Sequence, residues 1–370
     1  MNIVEPRLSA GEILLQRYQI LGEIGQGGMQ QVYRAKDLSL TREIALKVPI
    51  NTSAQRRFER SARLSANIVH PNIAKTLDYS TTDTLEFLIE ELIPGSDLQK
   101  RLDSDYGKLD CHLVAHVIHH VAKAVAAMNS IGVIHRDLKP SNIMVSADPG
   151  MLNVKVTDFG IATMIDAEIN EAILGGMSSM AASKTVVGAL AFMAPEIIRR
   201  GDGSDRSKCD VWSIGALLHF LLFGEYPFGD ELAAIQNILN GTIPDKSREV
   251  SQANIQFRSL YFSLLEISKS CLKMDPSERP TAKQLCDSLS VVAYSGEPRS
   301  LGRICYINPG PGNWGFIRPE DGNSDVFFHF DSIIGGAPKV DLRVSYASFD
   351  GDPKYRAFPV APYGVDQAGT

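Results

Sequence analysis

The sequence predicts a two-lobed α+β domain followed by a small all-β barrel of five strands. Three observations predict it. Residues from about 18 to 50 alternate apolar and polar around a glycine cluster, the pattern of strands and a hairpin. From about Leu109 to Leu289 helical periods dominate. At Ser295-Gly296-Glu297-Pro298 the helical pattern stops and glycine, proline and aromatic content rises, which places a domain boundary there.

Taken in order, residues 1–17 form a lead, and a small β-rich lobe covers about 18–93. It holds a helical pattern near Ala54 to Asn67 and a strand-like FLIEELI at 87–93, closed by Pro94-Gly95. A larger helical lobe covers about 94–292, a linker 293–300, the barrel 301–362 and a tail 363–370. The barrel strands are expected at roughly Gly302–Ile307, Trp314–Pro319, Asp325–His329, Leu342–Phe349 and Tyr355–Val360, between Gly/Pro/Asp turns.

The bulk numbers fit this plan. A chain of 370 residues, 44% hydrophobic and 22% charged, has material for a sizeable core without disulfides. Its five cysteines are scattered with no C-x-x-C pair, which fits reduced thiols and a cytoplasmic location. The N-terminal MNIVEPRLSAGEILLQRYQI lacks the apolar core of a signal peptide. The most apolar stretch, Val211 to Gly224, is shorter than the roughly 20 residues of a membrane-spanning helix and reads as a buried helix; no membrane segment is expected. Net charge is −6, and from Arg299 onward there are 7 basic against 8 acidic residues, so no part of the chain attracts nucleic acid by charge alone.

Chemistry concentrates in four segments. Gly25-Gln26-Gly27-Gly28-Met29-Gln30-Gln31-Val32 follows a strand-like run, and glycine lets backbone approach a phosphate closely. Taken alone it also fits a plain hairpin loop. Ala45-Leu46-Lys47 lies on the next strand, where a cation reaches the same phosphates. His135-Arg136-Asp137-Leu138-Lys139-Pro140-Ser141-Asn142 supplies a carboxylate, a cation and an amide in one loop. Asp158-Phe159-Gly160 adds a second carboxylate 16 residues after Asn142, and Ala194-Pro195-Glu196 closes the set.

In this order and context the segments resemble the bacterial-type (eukaryotic-like) serine/threonine protein kinase family over roughly residues 15–290. The resemblance implies a protein-kinase fold, ATP and Mg²⁺ as cofactors, and a protein substrate offering a serine or threonine hydroxyl. It assigns Lys47 to the α/β-phosphates, Asn142 and Asp158 to Mg²⁺, and Asp137 to orienting the hydroxyl and accepting its proton. Lys139 approaches the γ-phosphate. Gly25, Gln26, Gly27, Gly28, Val32 and Ala45 belong to the ATP site, and the adenine hangs from backbone near Glu91 and Leu92. The resemblance also makes Asp210 the anchor of the catalytic loop and pairs Glu196 with Arg279. Ser183 and Thr185, in the segment between Asp158 and Glu196, are the expected phosphate acceptors, pairing with Arg136.

Three departures stand out. Family spacing puts Ser61 where a helix glutamate pairs with the lysine, and the nearest carboxylate, Glu59, is turned about 200° away. Gln30 replaces the last glycine of the loop, and Gly188-Ala189 replaces Gly-Thr. Glu90 falls behind the adenine, where a carboxylate is costly unless paired, and it is a candidate substitute partner for Lys47. The alternative function is therefore a catalytically weak kinase or pseudokinase, an ATP-binding scaffold acting through nucleic-acid or protein binding. Cys111, His112, His116, His119 and His120 cluster on one helix at spacings that fit a metal, but satisfied or solvent-facing histidines are the better reading.

In the barrel, Asn313-Trp314-Gly315-Phe316-Ile317 and Val326-Phe327-Phe328-His329-Phe330 resemble the two ribonucleoprotein-type motifs of cold-shock domains, which have an OB-type barrel. The resemblance implies binding of single-stranded RNA or DNA. Alternation puts Trp314 with Phe316, and Phe327 with His329, on one face; Tyr306 and Phe330 join them by resemblance only. Departures are Tyr306-Ile307-Asn308 for Trp-Phe-Asn, a longer Pro309-Gly310-Pro311-Gly312 turn, and no lysine before the first motif.

Overall fold

The computed structural model describes residues 7–26, 30–50, 58–59, 62–63, 65–158, 190–199, 206–229, 231–241, 243, 245–352 and 354–364. The N-terminal lobe is one antiparallel sheet in the order β1-β2-β3-β4-β6-β5. Its strands are β1 (Ile13–Leu14), β2 (Tyr18–Gln26), β3 (Gln30–Asp37), β4 (Arg42–Pro49), β5 (Thr76–Thr81) and β6 (Glu86–Glu91). The apolar face, with Tyr18, Ile20, Tyr33, Ile44, Leu46, Phe87 and Ile89, closes a core of its own. The opposite face carries Lys47 and Glu90 toward the helical lobe. Helical residues 58, 59, 62, 63 and 65 pack Phe58 and Ala62 on Leu88.

The larger lobe begins with β7 (Gly95–Asp97) and α1 (Leu98–Arg101), followed by α2 (Cys111–Ser130). A three-stranded sheet of β7, β8 (Ile143–Ser146) and β9 (Val154–Val156) carries the loops that bear Asp137 and Asp158. The rest is helical: α3 (Pro195–Ile198), α4 (Cys209–Phe223), α5 (Glu231–Asn240), α6 (Ser247–Gln252), α7 (Ile255–Cys271) and α8 (Ala282–Ser290). The apolar stretch from Val211 is the buried α4, whose Trp212 stacks on Phe228 at 5.3 Å between ring centroids. Among the described helices only α2 is long and apolar enough to cross a membrane, and 78% of its apolar window is buried in this lobe.

The C-terminal strands β10 (Ser300–Ile307), β11 (Trp314–Pro319), β12 (Val326–His329), β13 (Arg343–Phe349) and β14 (Arg356–Pro362) close into a barrel in the order β10-β11-β12-β14-β13. Its one parallel pair is β12·β14. This is an OB-type barrel. Gly315 shows why the motif needs a glycine between its aromatic residues: a Cβ there would lie 2.7 Å from Phe328 Cε1, inside the barrel core.

The barrel is seated on the helical lobe. Phe358 stacks on Phe257 (5.2 Å between centroids, 21° between planes) and meets the edge of His112. Tyr363 packs edge-on to Tyr106 and donates to Asp105 Oδ2 at 3.2 Å. Between the two, Arg299 Nη1 lies 2.7 Å from Asp110 Oδ2, both side chains buried. Asp110 also caps α2, accepting from the backbone N–H of His112 and Leu113.

Candidate functional site

Strand register builds the first part of the site. Ala45 lies opposite Glu90 and Lys47 opposite Leu88, so Lys47 and Glu90 are diagonal neighbours on one face. Lys47 Nζ reaches Glu90 Oε2 at 2.6 Å and Asp158 Oδ1 at 2.8 Å. Gln30 Nε2 donates to the same Asp158 oxygen at 2.5 Å. The cluster is buried and holds one cation between two carboxylates. Burial alone would depress the Lys47 ammonium, but Asp158 and Glu90 together hold it above its ordinary value. For Asp158 burial works the other way, yet Lys47 and Gln30 keep its carboxyl below the usual range. Glu90 is pushed up, chiefly by burial, against the pull of Lys47.

The loop from His135 to Asn142 is hung from Asp210, whose two oxygens accept from the backbone N–H of His135 and Arg136, each at 2.7 Å. Arg136 and Asp158 both sit at positive φ, 68° and 64°, a conformation that costs a non-glycine residue and that functional loops hold against their surroundings. Inside the loop, Asp137 Oδ2 accepts from Asn142 Nδ2 at 2.8 Å and pairs with Lys139 Nζ at 2.9 Å. The His135 ring meets Thr157 O at 2.9 Å, tying this loop to the segment that ends at Asp158. Asn142 and Asp158 offer an amide and a carboxylate oxygen, hard donors suited to Mg²⁺, which takes the remainder of its shell from phosphates and water.

At the hinge, Glu91 pairs with Lys155 at 2.6 Å and accepts from Lys75 N at 2.8 Å, leaving its strand to run into Leu92. Gly25 pairs with Val32 and Gln26 with Gln31 at the turn end of the β2–β3 hairpin, and Ala45, in register with Arg34, is buried. Gly27, Gly28, Ser61, Ser183, Thr185 and Gly188-Ala189 lie outside the described residues. Glu59 pairs with Arg63 at 2.6 Å on the exposed side of its helix.

The helix histidines are structural. His116 meets Met151 O at 3.1 Å, His119 meets Tyr294 OH at 2.8 Å, and His112 Nδ1 accepts from Ser295 N at 2.9 Å.

On the barrel, Trp314 is in register with His329, and Phe316 with both Tyr306 and Phe327. Tyr306, Trp314, Phe316 and Phe327 form a run of rings with neighbouring centroids 5.5–6.2 Å apart, Tyr306 being 42% exposed. Lys354 Nζ lies 4.7 Å from the Phe316 centroid and Arg356 lies 6.0 Å from that of Phe327. His329 borders the group. Phe330 departs from it: a 3-10 turn begins there, alternation lapses, and its ring contacts Phe328 and packs against the barrel core.

Sequence reasoning missed the role of Gln30, read only as a substitution in a glycine loop. It also missed the seating of the barrel, for which Phe257 and Phe358 gave no local signal.

The fold and this geometry agree with the comparisons. Residues 18–289 match the protein kinase domain model, so the chain belongs to the protein kinase domain family. It is 32% identical over 291 residues to a probable serine/threonine-protein kinase of Clostridium perfringens, covering 76% of this chain and 39% of that protein. The match to the serine/threonine-protein kinase PrkC of Bacillus subtilis is 32% identical, over 60% of this chain and 33% of the relative. That to PknB of Mycobacterium leprae is 29% identical, over 83% and 49%. The chain thus spans between a third and a half of the length of these relatives. A crystal structure of Rad53 residues 1–466 in complex with AMP-PNP shares the fold, with a TM-score of 0.56 and 22% identity over 74% of this chain and 64% of that one.

Proposed function

We propose that the chain is an ATP- and Mg²⁺-dependent serine/threonine protein kinase whose barrel binds single-stranded nucleic acid. The observation that carries the kinase reading is the Asp137 carboxylate held by Asn142 and Lys139 in a loop anchored on Asp210. A substrate hydroxyl beside Asp137 loses its proton to that carboxylate as its oxygen bonds the γ-phosphorus. The bond to the β,γ-bridging oxygen breaks, and ADP leaves with that electron pair. Lys139 stands next to Asp137, where a cation offsets charge on the transferring group. Lys47 holds the α/β-phosphates, and backbone near Glu91 and Leu92 receives the adenine. Asn142 and Asp158 would hold Mg²⁺, which would supply charge neutralisation at the phosphates. Ser183 or Thr185, once phosphorylated, would pair with Arg136. The five cysteines, all free thiols, support a cytoplasmic location.

Autophosphorylation with radiolabelled ATP tests the kinase reading: the parent labels itself and Asp137→Asn does not. Equal labelling would refute it; no labelling of either, with nucleotide still bound, would favour the scaffold.

The barrel reading rests on the four-ring run flanked by Lys354 and Arg356. Rings at this spacing stack successive bases whatever their sequence. The 370-residue chain, titrated with a fluorescent oligothymidine, should bind it in preference to a duplex of equal length.

A further inference from the structure

We infer that Glu90 is the positioning residue for Lys47, so that the phosphate-binding lysine is set from the neighbouring strand and not by a helix carboxylate. This rests on the kinase reading above, which gives Lys47 its phosphates.

Opposition of Ala45 to Glu90 fixes Glu90 and Lys47 on one face of adjacent, hydrogen-bonded strands. Their charged atoms are 2.6 Å apart and their side chains 5% and 7% exposed, so water supplies neither with an alternative partner. A charge-assisted contact this short and dry is strong. The helix offers no rival among its described residues. It turns Phe58 and Ala62 onto Leu88, and Ser65 accepts from Thr76 Oγ1 at 2.7 Å. Its carboxylate, Glu59, is on the other side with Arg63.

The second carboxylate, Asp158, explains why Glu90 is needed. On the kinase reading Asp158 would also hold Mg²⁺. A lysine held by Asp158 alone would then share its partner with a dication. Glu90 supplies a counter-charge that stays with Lys47 throughout. It also ties lysine placement to the β4–β6 pairing, a rigid relation, where a helix carboxylate would make it depend on how the helix docks.

Glu90→Gln tests this in the 370-residue chain, because it keeps shape and removes charge. Loss of one charge-assisted hydrogen bond predicts a kcat about 10–100-fold lower and a comparably weaker Kd for a fluorescent Mg·ATP analogue. The unfolding midpoint should stay close to the parent's, since Lys47 keeps Asp158 as a counter-charge and is not left buried alone. Glu90→Asp, charged but shorter, should recover part of the nucleotide affinity. The inference is overturned if Glu90→Gln binds nucleotide within twofold of the parent, or if its losses follow a fall in the unfolding midpoint. A parent that binds nucleotide but transfers no phosphate would defeat the kinase reading only; the binding comparison would still decide on Glu90.

Discussion

Arg279 grips Glu196 with both arms of its guanidinium, Nη1 to Oε1 at 2.6 Å and Nη2 to Oε2 at 2.8 Å, in a site closed to water. The guanidinium also lies 5.0 Å from the Trp212 ring centroid and donates through Nε to Lys273 O. Arg279→Met leaves Glu196 buried without its cation and should cost about 3–5 kcal/mol. Arg279→Lys should recover little, because an ammonium cannot reproduce the planar fork. Urea unfolding of the two variants and the parent gives the measurement.

Lys47 and Asp158 should fail in different ways. Asp158→Asn leaves the Lys47–Glu90 pair intact, so it should abolish phosphoryl transfer at nearly native stability. Lys47→Met strands two buried carboxylates and should lose activity together with several kcal/mol of stability. Pairing a phosphorylation assay with thermal unfolding separates the outcomes.

Acid should destabilise the chain through buried histidines. His219 is fully buried, and neither ring nitrogen has a hydrogen-bond partner among the described residues. Burial pushes it down to about 4, and His116 and His119 are likewise pushed to about 4. Between about pH 6.5 and 4 the unfolded chain binds protons that the folded one refuses, so stability is lost as pH falls through that window. Each such histidine contributes up to about 1.4 kcal/mol per pH unit. His219→Leu should flatten the dependence by one proton's worth and match or exceed the parent at pH 5, as read from urea midpoints.

The ring run on the barrel should bind by stacking. Phe316→Ala with Phe327→Ala should weaken oligothymidine binding by about 1–3 kcal/mol for each base left without a ring to stack on. The salt dependence should be shallow, with Lys354 and Arg356 the cations nearest the rings. Fluorescence titration at two salt concentrations checks both, and unchanged affinity in the double variant would remove the rings from the interface.

The meeting of Asp137, Lys139 and Asn142 was legible because the three are contiguous: a carboxylate, a cation and an amide share the stretch from His135 to Asn142. The barrel strands were legible within two residues because alternation and turn glycines are local signals. Glu90 was harder. It is one of three glutamates in β6, with Glu86 and Glu91, and only the register of β4 on β6 shows which of them comes beside Lys47. Gln30 was harder still, since its partner is 128 residues away. The reach of Phe358 to Phe257 depends on how two separate cores meet, which no periodicity records.

The contact of Arg299 with Asp110 gives the composition shift near Ser295 a different standing. It marks a change of architecture that a buried ion pair bridges. Cutting the chain ahead of Arg299 would leave a fully buried carboxylate at the start of α2 with no counter-charge and would uncover Phe257. Calorimetry of the intact chain should therefore show the helical lobe and the barrel melting as one transition, and loss of the barrel should lower the temperature at which the lobe unfolds.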